Sequence, residues 1–147
     1  MKQVDFYLIS NHVNQAKFKL AGRLANKLQR LDKRALIVTE SSADTAALDS
    51  ILWSFSDTSF VAHDKLEEAK PLSAVHIGGQ NDVTPTVLER QYDVLINVGT
   101  TIPLFSHHFA RIAEIVDADD DAKQAARARY KRYQSEGFEL KTHTIEL

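Results

Sequence analysis

Four short apolar segments recur along the chain: VDFYLIS (Val4 to Ser10), ALIVT (Ala35 to Thr39), AVHIG (Ala74 to Gly78) and DVLINV (Asp93 to Val98). Short runs of this kind, rich in β-branched and aromatic residues, suit strands covered on both faces, the condition met in a parallel sheet between two helical layers. Between the first two runs, Leu20, Ala21, Leu24, Ala25, Leu28 and Leu31 recur three and four residues apart. This spacing predicts an amphipathic helix over Gln15 to Leu31 with Lys17, Lys19, Arg23, Lys27 and Arg30 outside. A strand, a long helical crossover and a second strand make a parallel pair.

The alternation continues downstream. Ser41 and Ser42 stand where a helix needs an N-cap, and Ala47, Leu48, Ile51, Leu52 and Phe55 form the apolar stripe of a helix whose end carries Trp53. Ser56 to Leu72 has no clear period. Its apolar residues Phe60, Val61 and Leu66 must either tuck beneath the segment or face a partner. GGQND reads as a turn, Leu104 to Ala110 as a short helix behind Pro103, IAEIV (Ile112 to Val116) as a further strand and FELKTHTI (Phe138 to Ile145) as a final alternating strand. Without repeats, linker or low-complexity tract, residues 1–147 are expected to form one domain. The expected architecture is a three-layer α/β/α fold with a mostly parallel open sheet, Rossmann-like in topology but without a nucleotide site. The 147 residues suffice for a substantial core.

Composition narrows the chemistry. The chain has no cysteine, which excludes disulfides, a thiol nucleophile and Cys-based zinc sites, and fits a reducing compartment. A formal charge of −2 argues against a long surface that grips a nucleic-acid backbone. The opening MKQVDFYLIS turns polar too soon for a signal peptide or membrane span, so a cytoplasmic protein that does not engage membranes is expected. No GxGxxG or GxxxxGK[ST] loop is present to cradle phosphates. No GxSxG elbow marks a nucleophile. Adjacent His107 and His108 would point about 100° apart on a helix and could not chelate one ion together. Neither cofactor nor metal is expected, and catalysis has little support.

The segment with the most distinctive charge layout is DADDDAKQAARARYKRY, Asp117 to Tyr133. Asp119, Asp120 and Asp121 belong at a helix N-terminus, where carboxylates accept from unpaired backbone amides, and Gly137 closes the helix. Beyond the acids, Lys123, Arg127, Tyr130, Lys131 and Gln134 fall three or four apart and share one face. Arg127, Arg129, Lys131 and Arg132 crowd around Tyr130 and Tyr133, with Glu136 as the nearby balancing acid. A solvated face is the plain structural explanation. Cations beside an aromatic plane also suit an acidic peptide that ends in an aromatic residue.

These residues also carry a resemblance. MKxxxFYL at the start, ALxxxLWxF around Trp53, SFVAH (Ser59 to His63), DVLINV and AKQAARARYKRYQSEGFELKT (Ala122 to Thr142) occur in an order and spacing that resemble the chi subunit of bacterial DNA polymerase III, a clamp-loader accessory protein. The resemblance spans nearly the whole chain and is thinnest over Lys65 to Arg90. It implies a non-enzymatic bridge that binds the psi subunit of the clamp loader on one surface and the acidic C-terminal tail of single-stranded DNA-binding protein on another. That tail ends in Pro-Phe with a free carboxylate. By the resemblance, Arg127 pairs with the terminal carboxylate, Lys123 attracts the tail's acids, and Tyr130 with Val116 borders the slot for the aromatic ring.

Trp53 and Phe60 would anchor the psi subunit, and a repair helicase could use the same surface. Ala62 stands where the family pattern has proline, which leaves that loop less constrained. DNA would be contacted only indirectly. Two alternatives stay open: a small nucleotide-binding enzyme, and a module that binds single-stranded DNA directly through the arginine and tyrosine helix.

Overall fold

A computed structural model describes residues 2–53, 63–65 and 75–147. Among the described residues seven strands form one sheet: β1 (Gln3–Ile9), β2 (Ala35–Thr39), β3 (His63–Lys65), β4 (Val75–Gly79), β5 (Val94–Asn97), β6 (Arg111–Val116) and β7 (Glu139–Ile145). Their order across the sheet is β3-β4-β2-β5-β6-β1-β7. Every neighbouring pair is parallel, so the sheet exceeds the expectation of a mostly parallel one.

Alternating side chains divide the core in two. On one face Ile9, Ala35, Ile37, Ile77, Ile96 and Ile115 pack beneath α1 (Ala16–Arg30) and α2 (Ser42–Trp53). On the other, Val4, Phe6, Leu36, Val38, Leu95 and Ile112 pack beneath α4 (Asp120–Ser135) and the short α3 (Pro85–Leu88). The three-layer α/β/α architecture follows. Each fully buried Leu or Ile contributes about 1.5–3 kcal/mol by leaving water, so the two-faced strands carry much of the stability. The buried residues of α1 are mostly small, including Ala21, Gly22 and Ala25.

Local chemistry accounts for the helix ends. Ser41 Oγ accepts from the amide of Asp44 at 3.1 Å and starts α2. Asp119 accepts from the amide of Ala122 at 2.7 Å and starts α4. At the far end of α4 the amide of Gly137 reaches Gln134 O and that of Phe138 reaches Tyr133 O, both at 3.1 Å. Gly137 has φ 86°, and the rings of Tyr133 and Phe138 meet edge to face at 5.2 Å. This is the left-handed glycine stop with its hydrophobic contact.

Several sequence expectations shift. The helix expected over Leu104 to Ala110 is a single 3-10 turn, Ser106–His108, because Phe105 and Phe109 both turn inward while Leu104 stays 80% exposed. Leu31 ends α1 as its C-cap and is 58% exposed rather than part of the buried stripe. The GGQND turn contains a 3-10 turn, Gln80–Asp82, in which the Asp82 carboxylate accepts from the amide of Gly79 at 2.8 Å. α3 forms in the stretch with the weakest sequence signal, started by Thr84 and Pro85. Phe55, Phe60, Val61, Ala62 and Leu66 lie outside the described residues, as does most of SFVAH.

Candidate partner-binding site

Helix α4 leaves part of the sheet uncovered where it passes over β1 and β7. The gap is a cavity of about 310 Å³ lined by Phe6 and Leu8 of β1, Thr142 of β7, and Lys123, Ala126, Arg127, Tyr130 and Lys131 of α4. Parallel register explains why these residues meet, since Phe6 pairs with Thr142 and Leu8 with Thr144 on the same face. The floor is apolar. Tyr130 forms one wall, its ring 5.5 Å from that of Phe6 and tilted by 49°. Lys123, Arg127 and Lys131 are exposed around the opening and form no ion pair among the described residues.

An apolar slot of this size admits an aromatic side chain, while the surrounding cations attract and orient an anion. A guanidinium can grip a carboxylate with two parallel hydrogen bonds. Lys123, Arg127 and Tyr130 therefore meet at one cavity. Val116 is only 1% exposed at the end of β6 and lies within the core against which Tyr130 packs, not in the cavity lining. Gln134 is exposed and likewise absent from the lining.

The remaining residues of the basic segment have other tasks. Arg129 is 5% exposed and donates Nε to Glu114 Oε1 at 3.0 Å and Nη1 to Thr100 O at 2.8 Å. Tyr133 is buried and donates its hydroxyl to Glu114 Oε2 at 2.7 Å. Asn97 Nδ2 reaches both Glu114 oxygens, at 3.0 and 3.1 Å. Glu114, fully buried on β6, thus accepts from three side chains and joins α4 to the sheet. Burial pushes its carboxyl up, opposed by the charge of Arg129 and the hydrogen bonds from Tyr133 and Asn97. Burial also raises the Tyr133 hydroxyl, reinforced by Glu114. Arg132 pairs with Glu136 at 2.7 Å on the exposed side. The apparent excess of surface cations around Tyr130 and Tyr133 therefore shrinks, because Arg129 and Tyr133 point inward.

The family of proteins described as DNA polymerase III chi subunit, HolC, matches residues 1–141. The chain belongs to the DNA polymerase III chi subunit family. It is 33% identical to DNA polymerase III subunit chi of Haemophilus influenzae, with 98% of each chain covered. It is 33% identical to the subunit chi of Pseudomonas aeruginosa over 99% of this chain and 98% of that one. Identity to the Escherichia coli subunit chi is 32%, covering 98% and 99%. The crystal structure of T4 UvsW superposes with a TM-score of 0.71 at 11% identity, covering 99% of this chain and 41% of that one, a likeness of fold alone.

In this chi-family chain the second set of sequence-predicted residues is less visible. Trp53 ends α2, but its side chain lies outside the described residues, as does all of Phe60. Among the described residues no group of His, Asp or Glu side chains is arranged to hold a metal ion, and no helix is long and apolar enough to cross a membrane. Phe6, Leu8 and Thr142 join the cavity only because β1 and β7 lie side by side, a pairing that no local sequence signal announces. Glu114 does carry a signal in the sequence, since a single acid inside the apolar run IAEIV calls for a buried partner.

Proposed function

We propose that this chi-family protein couples the clamp loader of DNA polymerase III to single-stranded DNA-binding protein during replication. Family membership supports an accessory role in DNA replication. The observation that carries the finer reading is the apolar cavity between α4 and β7, rimmed by Lys123, Arg127 and Lys131. A peptide ending in Pro-Phe would place its ring against Phe6, Leu8 and Tyr130. Arg127 would take the terminal carboxylate, and Lys123 and Lys131 would draw in the preceding acids. Val116 backs this wall from within the core.

Trp53 and Phe60 are proposed as anchors for the psi subunit, on a surface that a repair helicase could share. The chain contributes binding rather than catalysis, in the cytoplasm, and meets DNA only through its partners. A ternary sedimentation experiment tests the bridge. Wild type should sediment with psi and a labelled acidic peptide ending in Asp-Ile-Pro-Phe together, whereas Arg127→Ala should retain psi and lose the peptide. Failure of wild type to hold both at once would overturn the bridge.

A further inference from the structure

β7 is the terminal strand of the sheet on the α4–β7 side, and no described strand lies beyond it. Its inner pairing fixes which backbone groups face outward. The amide of Glu139 donates to Lys2 O at 2.9 Å and Ile145 O accepts from the amide of Ser10 at 2.8 Å, so the odd-numbered residues of β7 bond to β1. In a parallel ladder the N–H and C=O of one residue point to the same side. Leu140, Thr142 and Thr144 therefore direct their amides and carbonyls away from the sheet. Thr142 and Thr144 are exposed, and Thr142 also lines the cavity. An open row of donors and acceptors thus begins at the mouth of the candidate slot.

Charge favours the same path. A strand laid along this edge sends successive side chains to opposite faces of the sheet. On the α4 face they meet Lys123, Arg127 and Lys131; on the other face they meet Lys141, which is exposed and forms no ion pair among the described residues. An acidic peptide would find a cation on either side. We infer that the residues preceding the aromatic end of a bound acidic peptide add to β7 as an eighth strand, paired through the outward backbone groups of Leu140, Thr142 and Thr144. The inference rests on the reading of the cavity as the seat of the peptide's last residue. It adds that backbone pairing, and not charge alone, holds the upstream residues.

Two peptides separate these claims: the short Asp-Ile-Pro-Phe, and a longer form that carries further acidic residues before it. Both are titrated by fluorescence anisotropy into wild type and Thr144→Pro. This substitution removes an outward amide at an edge position where proline is tolerated, and it lies outside the cavity lining. The longer peptide should lose about tenfold in affinity for Thr144→Pro, while the short peptide should bind both proteins equally.

A second measurement leaves the protein unchanged: N-methylation of alternate upstream amides in the longer peptide. One alternate set should weaken binding to wild type about tenfold and the other should leave it within about twofold. Equal effects of both sets, or an unchanged advantage of the longer peptide on Thr144→Pro, would overturn strand addition while leaving the cavity reading intact. If wild type binds neither peptide, the cavity reading fails and strand addition fails with it.

Discussion

Arg127 and Arg129, two residues apart on α4, occupy opposite environments: Arg129 donates Nε to the buried Glu114 at 3.0 Å, whereas Arg127 is exposed at the rim of the α4–β7 cavity. One helix therefore uses the same side chain to fix itself to the sheet and to present charge to a partner. The two roles separate by mutation, and each has its own measurement.

Removing the Glu114 charge leaves Arg129 buried without its counter-ion. Glu114→Gln is expected to cost about 3–5 kcal/mol of unfolding free energy, since breaking a buried pair strands one desolvated charge. Urea denaturation measures it, and a loss below about 1 kcal/mol would contradict the assigned role of the pair.

Surface changes on the same helix should behave differently. Lys123→Ala is expected to leave stability within about 0.5 kcal/mol of wild type, because Lys123 is exposed and forms no ion pair among the described residues. It should slow association with an acidic peptide and flatten the salt dependence of that rate. Stopped-flow association at two ionic strengths reads both effects, and an unchanged salt slope would remove Lys123 from the site.

Acid should weaken the sheet at two places, around Asp5 on β1 and around Glu40 just after β2. Burial pushes the Asp5 carboxyl up, but hydrogen bonds from His143, Gln3 and Arg111 outweigh it and hold the group below its ordinary value of 3.8. Glu40 lies below 4.5, held there first by the Thr100 hydroxyl, with burial opposing and the Thr100 amide assisting. Both groups bind protons less readily when folded. Their contribution is thus complete above the ordinary values and is lost as pH falls through the lower folded ones. Unfolding free energy should decline below about pH 4, less steeply in Asp5→Asn than in wild type. Parallel acid limbs in the two proteins would contradict this.

Gly137 tests the stop of α4. With φ 86° and no atom within 4 Å of the position a Cβ would take, the cost of a side chain there is conformational and not steric crowding by neighbours. Gly137→Ala is expected to destabilise by about 1 kcal/mol, visible in the denaturation midpoint. A stabilised variant would contradict the left-handed stop.

Much of this fold is legible in the chain because two-faced burial leaves continuous apolar runs, and β2 and β5 are plain for that reason. Asp119 and Gly137 mark the ends of α4 through local chemistry that needs no tertiary context. Lys123, Arg127 and Tyr130 share a face by periodicity alone, and the structure seats them at one cavity.

Other features depend on distant contacts. Arg129 is indistinguishable in sequence from the cations around it until Glu114 arrives from β6 to neutralise it. Phe6 and Leu8 read as ordinary core residues: Phe6 is indeed 2% exposed against Tyr130 and Tyr133 of α4, and only beside the half-buried Leu8 does the sheet open into the floor of the cavity. The turn at Ser106–His108 defeated a helix reading because Phe105 and Phe109 gain more by turning inward than Leu104 loses by exposure.

The most direct test is an anisotropy titration of a labelled acidic peptide ending in Asp-Ile-Pro-Phe, with and without its final Phe, into wild type and Arg127→Ala. Saturable binding by wild type, lost in Arg127→Ala and lost again when the terminal Phe is removed, is the expected result. A well-folded wild type that binds neither peptide, or that binds both equally, would contradict the assignment of the α4–β7 cavity.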